Sequence, residues 1–371
     1  MKKLVLAGGG HAQLSVLHAL AQYPGELKTI LVTPSRYQMY SGMLPGWMAG
    51  HYTLEECRID LLLLADKAGV EVKLMRLTGI IAAQQRVHLS DGSQLEYDLL
   101  SLDVGSEINT ARLQAAGERL LPVKPLETFV QQWPHICEAA AQRDGYRLVI
   151  AGGGAAGVEL AFAAHHAFRA RGLKAEVALV ASAEGLLPGH ANGVRNRVLT
   201  LLQQRGITFH KATALGEEGG LYLSTGAHLA ADSIIAATGA RPASWLAQTD
   251  LMRDEQGYVL VDAQHRSVSH PNVLAAGDAC IRTDVRLPRS GVHAVFAGPV
   301  LAHNLLAELG GRTLQRYCPR RKSLYLLATG PQHAIASWGA FSAQGHWVWR
   351  WKNWIDRRFM RKHGVLAKGT N

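Results

Sequence analysis

Gly8-x-Gly10-x-x-Gln13 and Gly152-x-Gly154-x-x-Gly157 each follow an apolar strand pattern and open a helical one. Glycines at this spacing let a backbone approach a diphosphate, while the helix N-terminus supplies N–H donors and a positive dipole end. The second turn keeps all three glycines, so binding of a nucleotide outweighs an accidental turn there. In the first turn Gln13 stands in the third place, and alone it reads nearly as well as a plain strand-to-helix turn. Neither following strand ends on the acidic residue that would hold a ribose: the first leads to Thr33–Pro34, the second to Ser182. The choice between NADH and NADPH therefore stays open. A third signal is Gly277–Asp278, which closes the apolar run Asn272–Ala276. An isolated Gly-Asp is common in loops. Behind two glycine turns it becomes specific, because an aspartate there can accept hydrogen bonds from the ribityl hydroxyls of a flavin.

Two further side chains have chemical reach. Glu159 opens the helix behind the second turn, where a carboxylate also suits the helix dipole. Lys124, in Pro122–Val123–Lys124–Pro125, reads first as a solvated lysine.

The elements that position these residues form a repeated plan. Leu4–Ala7, a glycine turn, a helix through Leu20 and a strand at Thr29–Val32 make one β–α–β unit. Arg147–Ala151, a second glycine turn, a helix over about Ala155–Arg171 and a strand at Glu176–Val180 make another. This predicts an α/β fold with two Rossmann-like dinucleotide-binding domains. The first domain is split: residues 1–110 and 265–315 enclose an inserted domain of 111–264, and 316–371 form a C-terminal region. A helix is expected at about Gly298–Leu309, a hairpin at Leu324–Thr329 and Ala334–Trp338, and a helix from about Trp351.

Composition bounds the function. The formal net charge of +10 suits nucleic acid, an anionic membrane surface or a phosphate-bearing ligand. Cys57, Cys137, Cys280 and Cys318 include no close pair, which argues against a structural zinc site, leaves no metal site to assign and fits a reducing cytoplasm. The apolar stretch Leu4–Ala7 is too short for a signal peptide. No apolar run approaches the roughly 20 residues of a membrane span. A cytoplasmic protein is expected, or one held peripherally on the inner face of the cell membrane.

With these motifs in order, the chain resembles the pyridine nucleotide-disulfide oxidoreductase superfamily over essentially its whole length. It is most similar to type II NADH dehydrogenases, in a branch often fused to selenophosphate synthetase. Tyr40–Gly46, Ser290–Pro299 and Leu324–Pro331 carry that likeness, and the closing Ala237–Thr238–Gly239 completes it. The resemblance implies FAD at the first turn and NADH or NADPH at the second. It implies cofactor contacts at Gly8, Gly10, His11, Ala12, Thr33, Arg36, Ser41, Leu44, Gly105, Gly152, Gly154, Gly157, Gly239, Gly277, Asp278 and Val295. It places Glu159 close to nicotinamide and flavin and lets Lys124 approach the flavin. Gln13 and Thr33 depart from the pattern at the FAD ribose. Disulfide reductases carry a cysteine pair after the second strand, and Arg36–Gly50 has none. Each cysteine reads better as a small hydrophobe.

The tail interleaves Trp347, Trp349, Trp351 and Trp354 with arginines and lysines. As a helix it would gather Trp351, Trp354, Ile355 and Phe359 on one face. That face suits packing on the protein itself slightly better than a membrane interface over Trp351–Lys362. Nucleic-acid binding is a distant third. The expected reaction is hydride transfer from nicotinamide to flavin and then electron transfer to a quinone-like acceptor. The alternatives are a flavin reductase for a soluble acceptor linked to selenium metabolism, and a flavin-binding module without nicotinamide activity.

Overall fold

In the computed structural model, the described residues are 1–23, 25–182, 185–287, 291–320 and 322–364. Ser290, the first residue of one family-like stretch, lies outside them. Two five-stranded, wholly parallel sheets organise the chain. In the first, the spatial order is Val273–Ala275, Leu99–Leu102, Lys2–Ala7, Leu27–Thr33 and Glu71–Leu74. In the second it is Leu120–Pro122, Ser233–Ala236, Tyr146–Ala151, Ala175–Ala181 and Thr208–Lys211. The first of these sheets thus recovers a strand from far down the chain. Near-continuous apolar runs form these strands because both faces are covered. Leu4, Leu6, Leu148 and Ile150 are fully buried.

Each central strand feeds a glycine turn and then a helix, His11–Leu20 or Ala155–Ala170. The two turns share one construction. Gly8 N donates to Val32 O at 2.8 Å, and Gly152 N donates to Val180 O at 2.8 Å. Asp103 N donates to Ala7 O, and Ala237 N to Ala151 O, both at 2.8 Å. A Cβ on Gly8 would strike the Asp103 carbonyl, and one on Gly152 the Ala237 carbonyl.

Several elements differ from the sequence reading. The expected helix at Gly298 begins at Gly291 and runs through Pro299 to Leu309. Gly298 is where it crosses the first helix: a Cβ there would lie 2.7 Å from Ser15 Oγ. This helix has a mean hydropathy of 1.2 over 18 residues and meets the length and composition of a membrane span, with 44% of that window buried in the protein. The sequence reading expected no such stretch. A helix over Leu126–Ala141 went unread. The hairpin gains a third strand, Phe341–Gly345, and the tail helix starts at His346 instead of Trp351.

Gly157 seats the second helix against its own turn. A Cβ there would fall on the Gly152 carbonyl oxygen. Gly157→Ala is therefore expected to cost about 3 kcal/mol, read as a lowered urea midpoint of unfolding.

Candidate functional site

The two turns and the tail helix His346–His363 open into one cavity of about 1470 Å³. That exceeds the roughly 300–1,000 Å³ of an ordinary small-ligand site. Of the residues singled out in the sequence, His11, Ser41, Lys124, Gly152, Gly154, Glu159, Gly239, Asp278 and Val295 line it. Gly8, Gly10, Ala12, Gly157 and Gly277 do not line it; they belong to the turns that carry His11, Gly154 and Asp278. Thr33, Arg36, Leu44 and Gly105 are not among its lining residues. Thr33 is buried and its hydroxyl donates to Ser35 O at 3.2 Å. Arg36 is engaged by Asp60 at 2.7 Å. Leu44 packs in the core.

At the second turn Gly154 is the extended N-cap, and a Cβ on it would meet nothing within 4 Å. The first-turn amides of Ala155 and Ala156 meet no acceptor among the described residues. Donors left bare at a helix N-terminus are what a nucleotide diphosphate requires.

Lys124 is not a solvated lysine. Its Nζ donates to Asp278 Oδ2 at 2.7 Å and to Ser106 Oγ at 3.0 Å. Burial pushes the Asp278 carboxyl up, but the Lys124 ammonium and the Ser106 hydroxyl outweigh that and hold it below the usual carboxylate range.

Across the cavity lies a cluster the sequence did not reveal. Lys352 and Asp356, one helical turn apart, are buried and paired at 2.8 Å. Lys352 Nζ also donates to Gly42 O at 2.6 Å, and Tyr40 Oη donates to Asp356 Oδ1 at 3.1 Å. Burial lowers the lysine's proton affinity, but Asp356 and Glu159 more than offset it. Glu159 is half-buried beside them, and its Oε1 accepts from Ala328 N at 2.7 Å. Burial pushes the Glu159 carboxyl up to about 7, against the pull of Lys352 and the Ala328 amide, with Asp356 raising it further. The i,i+4 spacing of Lys352 and Asp356 was the available signal, masked by the basic residues around it.

This arrangement corrects the expected helix face. Val348, Lys352, Asp356 and His363 turn inward, whereas Trp347 and Trp354 are exposed. Phe359 stacks on Tyr40 at 4.3 Å. An ion pair can face inward because Gly42 O and Tyr40 Oη complete its hydrogen bonds.

The cysteines take no part. All four are free thiols. Burial raises the thiols of Cys57, Cys137 and Cys280, the first to about 12.

Residues 2–298 match the family model described as pyridine nucleotide-disulphide oxidoreductase. The chain belongs to this family. It is an FAD-dependent oxidoreductase of the NADH dehydrogenase-like class, with FAD and NADH or NADPH as cofactors. The NADH dehydrogenase-like protein YutJ of Bacillus subtilis is 22% identical over 283 residues, 75% of this chain and 76% of that one. The sulfide:quinone oxidoreductase of Aquifex aeolicus superposes with a TM-score of 0.81 at 16% identity, covering 99% of this chain and 93% of that one. NDH2 of Plasmodium falciparum, solved with NADH, gives a TM-score of 0.79 at 13% identity, covering 98% and 99%. The bare amides at Ala155–Ala156, the room above Gly154 and the size of the cavity fit two dinucleotides meeting in it.

Two outcomes test this electrostatic picture. Because the folded carboxyl of Glu159 binds its proton more tightly than the usual 4.5, its contribution to stability is present below that value and is lost as pH rises through about 7. Glu159→Gln should remove about 3 kcal/mol of pH dependence from the unfolding free energy between pH about 5 and about 8. In an infrared titration of the protonated carboxyl, Lys352→Met should shift Glu159 upward and Asp356→Asn should shift it downward.

Proposed function

We propose that this chain passes hydride from a reduced nicotinamide dinucleotide to FAD and the electrons on to a quinone-like acceptor entering beside the tail helix. Bound FAD supplies the redox chemistry, taking hydride and releasing two electrons. The chain's own residues supply orientation, shielding and a proton. The first-turn amides Ala155 and Ala156 hold the nicotinamide dinucleotide by its diphosphate. Asp278, set by Lys124 and Ser106, would accept from the hydroxylated arm of a bound flavin. Val295 and Phe359 keep water from the cavity wall.

The observation that carries this reading is Glu159 in a cavity whose outer wall is aromatic and aliphatic. Reduction of a quinone consumes two electrons and two protons; the hydride brings both electrons and one proton, and Glu159 would supply the other. Glu159 holds a proton near neutral pH, and with Oε1 committed to Ala328 N, the proton resides on Oε2. Tyr325, Trp338, Trp351 and Ile355 line the same cavity and suit a flat apolar acceptor.

The outer surface favours a membrane-dissolved acceptor. Trp338, Phe341, Trp347 and Trp354 are each more than half exposed. Arg350, Arg358, Arg361 and Lys362 lie among them on the tail helix. Exposed tryptophans ringed by cations suit the headgroup region of an anionic bilayer. We place the protein on the inner face of the cell membrane, with the cytoplasm supplying nicotinamide.

Purified FAD-loaded protein should bleach anaerobically with NADH or NADPH, reoxidise with a soluble quinone, and cosediment with vesicles containing anionic lipid. Glu159→Gln should lower quinone turnover about 10²-fold while leaving bleaching by the nicotinamide largely intact. Reoxidation by soluble acceptors other than quinones, without cosedimentation, would replace this reading with the soluble flavin reductase. Failure of both nicotinamides to bleach the flavin would remove the dehydrogenase.

A further inference from the structure

The two glycine turns share one plan but not every side chain: Gln13 stands where the second turn has Gly157, and Asp103 where it has Ala237. Asp103–Val104–Gly105 follows the strand beside the first turn as Ala237–Thr238–Gly239 follows the strand beside the second. One backbone bond is common to both, Asp103 N to Ala7 O and Ala237 N to Ala151 O; Gly10 N to Asp103 O at 3.2 Å has no counterpart among the described residues of the second turn. Where the second turn has the methyl of Ala237, the first has a carboxylate.

That carboxylate is enclosed by the first turn. Asp103 Oδ2 accepts from Ala12 N at 2.8 Å and from Gln13 N at 3.1 Å. A Cβ on Gly10 or on Gly277 would fall on the same carboxylate. Glycines from opposite ends of the chain thus make room for it, and the residue is only 3% exposed. Of the two amides Asp103 takes, that of Ala12 corresponds to the amide of Ala156, which stays bare at the second turn.

A carboxylate here opposes the turn's other task. FAD brings a doubly charged diphosphate to this helix N-terminus, and an ionised acid has already spent part of the helix's positive end. Two anions in one buried turn repel. We propose that FAD binding is coupled to a proton on Asp103, so that the acid is neutral when the diphosphate is seated. One proton and one FAD enter together and leave together, with no change in redox state. The neutral acid still offers an oxygen to the Ala12 and Gln13 amides, so the helix cap survives protonation.

The surroundings favour this. Burial pushes the Asp103 carboxyl up to about 7; the Gln13 and Ala12 amides pull it down and Asp278 raises it. The short helix Gly277–Ala279 contributes Asp278, already paired with Lys124, and Cys280 follows it with a thiol that burial keeps protonated. The first helix contributes His11, which burial holds neutral at about 4. No cation is paired with Asp103 among the described residues.

The inference rests on FAD occupying the first turn and is independent of the acceptor. It is tested on apo-protein by measuring the Kd for FAD from pH about 6 to about 9 by flavin fluorescence. Calorimetry in buffers of differing protonation heat would count the protons. The Kd should rise by up to about tenfold per pH unit above 7, with close to one proton taken up per FAD on the alkaline side. Asp103→Asn keeps the hydrogen-bond acceptor without the charge, and its Kd should be flat across this range and tighter than wild type at pH about 9. A flat wild-type Kd without proton uptake overturns the proposal, as does a folded Asp103→Asn with the wild-type slope. The wild-type proton count stands even if the variant does not fold. Loss of quinone turnover with this linkage intact would count against the acceptor reading alone.

Discussion

Both nucleotide turns depend on one close approach. At Gly8 and at Gly152 the backbone turns so tightly against the end of the neighbouring strand that a β-carbon would overlap a carbonyl group. Both glycines have positive φ, +91° and +136°, a region that side chains disfavour. The approach places the start of each helix at the carboxyl end of a parallel sheet, where amide donors gather beside a topological crevice. Because the same constraint operates in both sheets, two helix N-termini open into one cavity. Every other functional residue is arranged around that meeting point.

The cavity is closed from outside by an interaction of a different kind. Lys352 and Asp356 are removed from water, which costs more than an isolated pair returns. The cost is offset by hydrogen bonds to Gly42 O and from Tyr40 Oη, both on the segment between the second strand and Met48. Tyr52 Oη to Asn353 Oδ1 at 2.9 Å and Arg357 to Glu56 at 2.8 Å extend the same seam. The tail is thereby keyed to one position against the family-like stretch Tyr40–Gly46. The pair also reaches Glu159 electrostatically, so the element that shapes the acceptor's entrance also bears on the proton held there.

What could be read in the sequence follows from how local each cause is. Glycine turns are legible because backbone geometry imposes them within six residues, and a parallel strand announces itself as an unbroken apolar run. Gly277–Asp278 was legible only through its order after the two turns. The helix expected from about Gly298 begins at Gly291 and passes through Pro299, and its crossing with the first helix at Gly298 depends on Ser15, far away in the chain. Lys352 and Asp356 were hidden because an i,i+4 pair among arginines looks solvated until Gly42 and Tyr40, more than 300 residues away, are seen to cover it. Asp103 was hidden for the same reason: its meaning lies in Ala12, Gln13, Gly10 and Gly277, not in its neighbours in the chain.

The distribution of charge within the cavity explains why amides, more than ammonium groups, must receive the nucleotides. The two inner lysines are already committed, Lys124 to Asp278 and Lys352 to Asp356. Arg112, Arg320 and Lys322, which also line the cavity, are exposed. Exposed cations act at long range, drawing anionic nucleotides inward and adding little once they are seated. A net charge of +10 extends that field over the whole molecule. Affinity is then left to the helix ends, where turns of one plan differ in a buried carboxyl group. The second end, with free donors, suits a nucleotide that must leave after every turnover. The first, in which a buried acid must take up a proton before its diphosphate partner is stable, suits a cofactor that stays.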